Sequence, residues 1–223
     1  MINLTSMNYW YPLIKDLPIP QPRTEIVLHK KYDEWWSLLD GVPLPVTDIE
    51  ILKSTGDKIG YPLFLRTDLC SGKHSYASTC YVENKESLGG HVVRLVDDNC
   101  SKDQAFTSMV FREFIELDWQ FKAFNKLPIA PERRYFIRDG KITGHFPYWP
   151  ENAIMHPDKK DWKSLLKEMN IESDHEIEIL SQHAKQVSMA LPGYWSIDFA
   201  KGRDGIWYLI DMAEAIKSWR PNP

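Results

Sequence analysis

The chain reads as an α+β fold, and three observations carry that expectation. Short apolar runs and helical patterns follow one another in no simple strand-helix alternation, which argues against a doubly wound parallel sheet. Asp139-Gly140 sits between two alternating flanks over 132–146, and this dipeptide favours a tight hairpin turn. A second hairpin pattern covers 194–215, around a loop that contains glycine.

The elements follow in order. Residues 1–24 carry Pro12, Pro18, Pro20 and Pro22, which cannot donate to a ladder or continue a helix, so an extended arm is expected. EIVLH (25–29) reads as a strand, and YDEWWSLLD (32–40) as an amphipathic helix stopped by Gly41 and Pro43. YPLFLR (61–66) is a buried-strand pattern, TDLCSGKHS (67–75) a polar loop and YASTCYVE (76–83) a second strand. Asn84 can cap a helix over 85–97, where Leu88, Val92, Leu95 and Val96 share one face. MVFREFIEL (109–117) reads as a strand. Ser173 and Glu176 form a capping box, and Ile177, Leu180, Ala184, Val187 and Leu191 keep helical spacing until Pro192-Gly193. The two strands of the last hairpin each end an apolar run at an aspartate, Asp198 and Asp211.

With 223 residues the chain can form one large domain or two lobes sharing a cleft. Its 43% hydrophobic and 26% charged residues are globular in balance, and no apolar run approaches the roughly 20 residues a bilayer requires. The N-terminus lacks the basic flank and apolar stretch of a secretory signal, so a cytoplasmic location is expected. A net charge of −4 argues against bulk nucleic-acid binding. Cys70, Cys80 and Cys100 show no metal-ligand spacing and read as reduced thiols. The histidines show no HxH or HExxH spacing; His145 either packs or serves the arginine strand that it closes.

Charged residues at strand ends need partners, because removing an ion from water is costly. Arg66 closes an apolar strand, and Lys73 follows Ser71-Gly72, whose small size would let backbone amides approach an anion. Two ordinary cations on an exposed loop is the other reading. Arg133, Arg134 and Arg138 share one strand, with alternation placing Arg134 and Arg138 on one face and Arg133 on the other. Asp198 and Asp211, on adjacent strands, would repel unless a cation lay between them. That cation is either Mg²⁺, which takes one or two carboxylates with phosphates and water, or a neighbouring Arg or Lys.

In this order the pieces resemble the ATP-grasp superfamily over roughly 61–219. LRTDLCSGKHS resembles the family's first phosphate-binding strand and loop, with Arg66 in the place of the more usual lysine. Its spacing is similar to the eukaryotic cell-division-cycle branch that acts in assembling a translation initiation factor. FREFIEL resembles the hinge between lobes, implying that the segment Glu113, Phe114 and Ile115 binds the adenine, through backbone groups of Glu113 and Ile115. In ERRYFIRDGKITG, Glu132 matches the ribose-binding acid and Arg134 the phosphate-binding arginine. WSIDF and WYLIDMAEA resemble the paired metal-binding strands with Asp198 and Asp211. The family's usual metal-binding Asn is Ala213 here, with Glu214 one further along. A small group of phage and bacterial proteins shares the proline-rich start, ERRYFI, PYWP and IDMAEA.

The resemblance implies two lobes, each with a mainly antiparallel sheet and packed helices, and ATP in the cleft between them. The implied divisions are a proline-rich arm and small subdomain (1–60), an N-lobe (61–117) and a C-lobe (118–223). It further implies Mg-ATP as cofactor, with Arg66, Lys73 and Arg134 as catalytic cations. The activity would be a ligase joining small-molecule or peptide carboxylates and amines through an acylphosphate. A nucleotide-binding assembly factor gripping a protein partner, with aromatic contacts around Trp10, Trp149 and Trp219, is the alternative, and an ATP-dependent kinase a further one.

Overall fold

The computed structural model describes residues 3–221. Its elements are α1 (Met7–Ile14), β1 (Thr24–Val27), α2 (Tyr32–Trp36), α3 (Val46–Ile59), β2 (Leu63–Thr67), β3 (Tyr81–Val82), α4 (Leu88–Cys100) and β4 (Met109–Glu113). They continue as β5 (Phe121–Ala123), β6 (Leu127–Ile129), β7 (Glu132–Arg138), β8 (Lys141–Pro147), α5 (Trp162–Met169), α6 (Asp174–Ala190), β9 (Tyr194–Lys201) and β10 (Trp207–Glu214). The strands form two four-stranded antiparallel sheets, in the orders β1-β4-β2-β3 and β10-β9-β7-β8, and a β5-β6 pair. The fold is α+β.

Two compact units result: Pro22–Ile115 with Asn125–Leu127, and Met1–Gln21 with Glu116–Phe124 and Pro128–Pro223; residues 1–2 and 222–223 lie outside the described residues. Residues 3–60 therefore do not stand as a subdomain. Residues up to Gln21 join the C-terminal sheet, where Leu209 N–H donates to the Pro20 carbonyl at 2.9 Å and Tyr9 stacks on Trp195. Trp35, Leu52 and Ile59 instead pack with Leu63, Leu65, Val92, Leu95 and Phe111, forming the core of the other unit.

The extended arm is corrected by α1. Met7, Trp10 and Ile14 are fully buried on one face, and Ser6 caps the helix by accepting from Asn8 N–H. Pro12 lies inside the helix, but burial of three large side chains outweighs one lost backbone bond. The second strand expected over 76–83 shrinks to Tyr81–Val82, because Thr79 Oγ1 donates to the Gly72 and Ser75 carbonyls and folds 72–79 into turns. The strand expected over 109–117 ends at Glu113. The helix expected over 85–97 starts later, at Leu88, since Asn84 Oδ1 accepts from Ser87 N–H in a turn that precedes it. Helices α3 and α5 occupy stretches to which the sequence reading assigns nothing.

Other expectations hold. Asp139 and Gly140 have φ of +47° and +81°, the two positive values of a mirror-image hairpin turn. Gly140 N–H donates to Ser188 Oγ on α6 at 2.7 Å, which fixes the tip of the β7–β8 hairpin. The Ser173–Glu176 capping box is present at the start of α6, which buries Leu180, Ala184 and Val187.

Candidate functional site

The β7-β9-β10 sheet sets out a row of charge. Arg134 on β7 lies directly opposite Asp198 on β9, and Asp198 lies opposite Asp211 on β10. A bulge makes this row. Leu209 pairs with Phe199, so an unbroken ladder would set Ile210 against Asp198 and turn Asp211 to the other face. The register shift between Leu209 and Asp211 inserts one residue and brings Asp211 into the row, as bulges commonly re-aim side chains.

Arg134 holds Asp198 in a two-pronged ion pair, Nε to Oδ1 and Nη2 to Oδ2, both at 2.7 Å. Its Nη1 donates to the Trp219 carbonyl at 3.1 Å, and its guanidinium lies 4.6 Å from the Tyr148 ring centre. Burial disfavours the charged guanidinium, but the bond to Asp198, with the charges of Asp198 and Asp211, raises its pKa above the ordinary arginine value. Arg134 is a cation in a part-buried site, held by an acid that it can exchange for a phosphate.

Of the two cations left open for Asp198, the structure supplies an arginine. The row nevertheless fits Mg²⁺: two carboxylates on paired positions are the number this ion takes when phosphates and water complete its shell. Among the described residues no group of three His, Cys, Asp or Glu side chains stands together as a protein-only metal cage. Ala213 lies in the next row opposite Ser196, on the face of Asp211. Glu214 falls on the opposite face and is taken up by Lys217 and Thr5, so it does not replace the family's Asn. Glu132 lies two residues before Arg134, on the same face, and is 4% exposed.

Arg133 points the other way, as alternation requires. It is 1% exposed, donates to the Met169 and Ile171 carbonyls at 2.9 Å each, and pairs with Glu172 at 3.4 Å. His145 stacks on Tyr135 and bonds Glu172 on this same side, a packed histidine.

The other unit carries Arg66, Lys73 and the segment 113–115. Arg66 is buried on β2 opposite Val110, on the face away from Leu63 and Leu65 and the helix-packed core. Its Nε donates to the Thr67 carbonyl. Gly72, left-handed at φ +62°, precedes the 3-10 turn of Lys73; an added Cβ would meet Leu95 Cδ1 at 2.9 Å, so glycine is required twice over. Its N–H donates to Cys70 Sγ, and the loop's positive character therefore rests on the Lys73 side chain rather than on this amide. Burial pushes the Cys80 thiol up to about 12, against a downward pull from both Lys73 and Arg66; the thiol feels the two cations together.

Glu113 N–H donates to the Arg23 carbonyl at 2.8 Å and its carboxylate pairs with Arg23, so an adenine contact at this residue cannot use that N–H. Phe114 meets Tyr81 edge to face, and Tyr81 stacks on Tyr76, an aromatic group flanking the segment. Trp10 and Trp149 are buried and offer no partner surface; Trp219 is 49% exposed. No helix among the described residues is long and apolar enough to cross a membrane.

A family model described as an ATP-grasp domain, family 3 of its clade, matches residues 25–222. No curated protein matches the chain in sequence. Among solved structures the chain is similar to Cdc123 from Schizosaccharomyces pombe, with 14% identity and a TM-score of 0.60, over 94% of this chain and 83% of that one. It is similar to a RimK domain protein ATP-grasp from Sphaerobacter thermophilus, with 11% identity and a TM-score of 0.53, covering 96% of this chain and 60% of that one. A D-alanine–D-alanine ligase from Bacillus anthracis complexed with ATP aligns with 14% identity and a TM-score of 0.50, over 94% of this chain and 54% of that one. At these identities the likeness is one of fold.

Proposed function

The chain belongs to this ATP-grasp domain family, and on that premise we propose that it is an ATP- and Mg²⁺-dependent ligase joining a carboxylate to an amine. The observation that carries this reading is the Arg134–Asp198–Asp211 row: a forked cation suited to phosphate oxygens beside two hard oxygen ligands. A bound Mg²⁺ would neutralise charge between the nucleotide phosphates and the two aspartates. Asp198 then exchanges Arg134 for the ion, and the guanidinium turns its freed donors to a phosphate. Arg66 and Lys73 add positive charge, Glu132 serves the ribose, and Glu113, Phe114 and Ile115 the base.

In the reaction, a carboxylate oxygen of the substrate attacks the γ-phosphorus, the bond to the β–γ bridging oxygen breaks and ADP leaves. The amine nitrogen attacks the acyl carbon of the resulting acylphosphate, inorganic phosphate departs, and the amine loses its proton to solvent. Positioning and charge neutralisation carry such a sequence, with no covalent nucleophile from the protein. The substrates are small-molecule or peptide carboxylates and amines.

One observation favours a second reading, a nucleotide-binding assembly factor without ligase activity. The alignment takes in 83% of Cdc123 but only 54% of the D-alanine–D-alanine ligase, so the chain spans about half of that enzyme's length. Incubation with Mg-ATP and mixed amino acids or peptides separates the readings. ADP with an amide product is expected for the ligase. Stoichiometric nucleotide binding without turnover supports the assembly factor, and a phosphorylated product without an amide makes the protein a kinase.

A further inference from the structure

Beyond β10 the chain turns back across the face that carries the charged row. Ala215–Lys217 form a 3-10 turn, and each of the next three residues then grips the sheet. Ser218 Oγ lies 2.6 Å from Ser196 Oγ on β9. The Trp219 carbonyl accepts from Arg134 Nη1 on β7. Arg220 Nη2 donates to Tyr194 Oη at 2.9 Å, and its guanidinium lies 5.1 Å from the ring centre of Phe136. Ser196 and Phe136 face each other in the row adjoining Asp198 and Arg134, so the segment crosses beside the charged row and lays one carbonyl on its cation.

Two features make this contact exchangeable. A neutral carbonyl on a guanidinium is a weaker partner than a phosphate oxygen, whose charge adds to the bond. The segment is also held by polar contacts more than by burial: Trp219 is 49% exposed and Ile216 77% exposed. We propose that residues 218–221 form a displaceable latch, whose Trp219 carbonyl occupies Arg134 in the empty protein and yields it to a phosphate oxygen when nucleotide binds. This rests on the nucleotide reading above.

The test is a calorimetric titration with Mg-AMPPNP of the full chain and of a protein ending at Lys217, together with hydrogen exchange at 218–221 in the full chain. The latch predicts affinity about three- to tenfold tighter after truncation, roughly the weight of one competing hydrogen bond, and faster exchange at 218–221 on saturation. Ser218→Ala with Arg220→Ala gives the same readout should truncation impair folding, and the exchange measurement needs no variant. Equal or weaker affinity, or unchanged exchange at saturation, overturns the latch and leaves nucleotide binding standing. No binding by any of these proteins overturns the nucleotide reading and the latch with it.

Discussion

The two faces of the β10-β9-β7-β8 sheet each hold an arginine in an ion pair, and the two arginines are consecutive in the chain. Arg133 is surrounded by groups that the fold itself fixes: the Met169 and Ile171 carbonyls, Glu172, and Glu176 of the α6 capping box, which also pairs with Lys201. Arg134 faces an acid with a second acid beyond it and a carbonyl from an exposed segment. One environment uses up its cation on the joint between two helices. The other lines up charges of both signs along one row, which stabilises little by itself and suits an ion and a phosphate. The difference teaches that the function of a buried charge lies in whether its partners have other structural work.

The comparison breaks most readily at Arg133. Arg133→Ala strands two carbonyls and leaves Glu172 and Glu176 short of a counter-charge, at a cost of about 3–5 kcal/mol in denaturant unfolding. A loss below ~1 kcal/mol would show that this face is not the structural one. Arg134→Lys keeps the charge and removes the fork, so stability is expected to change by about 1–2 kcal/mol while Mg-ATP affinity falls roughly tenfold in calorimetry. Equal affinity would place the phosphates elsewhere.

The helix-facing side also sets a pH dependence. Burial holds the His183 imidazole below its ordinary pKa, beside Phe199, so the fold prefers the neutral ring. A depressed pKa contributes stability that is complete above the unfolded value, about 6.5, and is lost as pH falls from there toward the lowered folded value. Glu176 acts in the same direction at lower pH: burial raises its pKa, but Lys201, Ser173 N–H and Arg133 together hold it below the ordinary glutamate value. Urea midpoints measured downward from pH 7.5 should fall first through the histidine window, and His183→Leu should flatten that part alone. The smallest effect is expected from Ser173→Ala, which removes the cap of α6 at about 1 kcal/mol by thermal unfolding and leaves nucleotide affinity unchanged.

Much of this arrangement was legible in the residues. Asp139-Gly140, the Ser173–Glu176 box and the two aspartate-ended runs signal local geometry through chemistry that does not depend on tertiary contacts. Alternation alone separated Arg133 from Arg134. What was not legible depends on packing. α1 follows from Met7, Trp10 and Ile14 meeting a core, a signal that four nearby prolines obscured. The bulge at Ile210 has no glycine to mark it, and strict alternation would have misplaced Asp211. The Trp219 carbonyl on Arg134 is a backbone contact, and no side-chain pattern announces it.

The most direct measurement is a calorimetric titration of Mg-ATP into the unaltered chain and into Asp211→Asn, with melting temperatures recorded alongside. Saturable binding that requires Mg²⁺ in the unaltered chain, and is strongly weakened in Asp211→Asn at a similar melting temperature, is the expected result. Equal Mg-ATP affinity in the two proteins would contradict the assignment of the charged row as the metal and phosphate site.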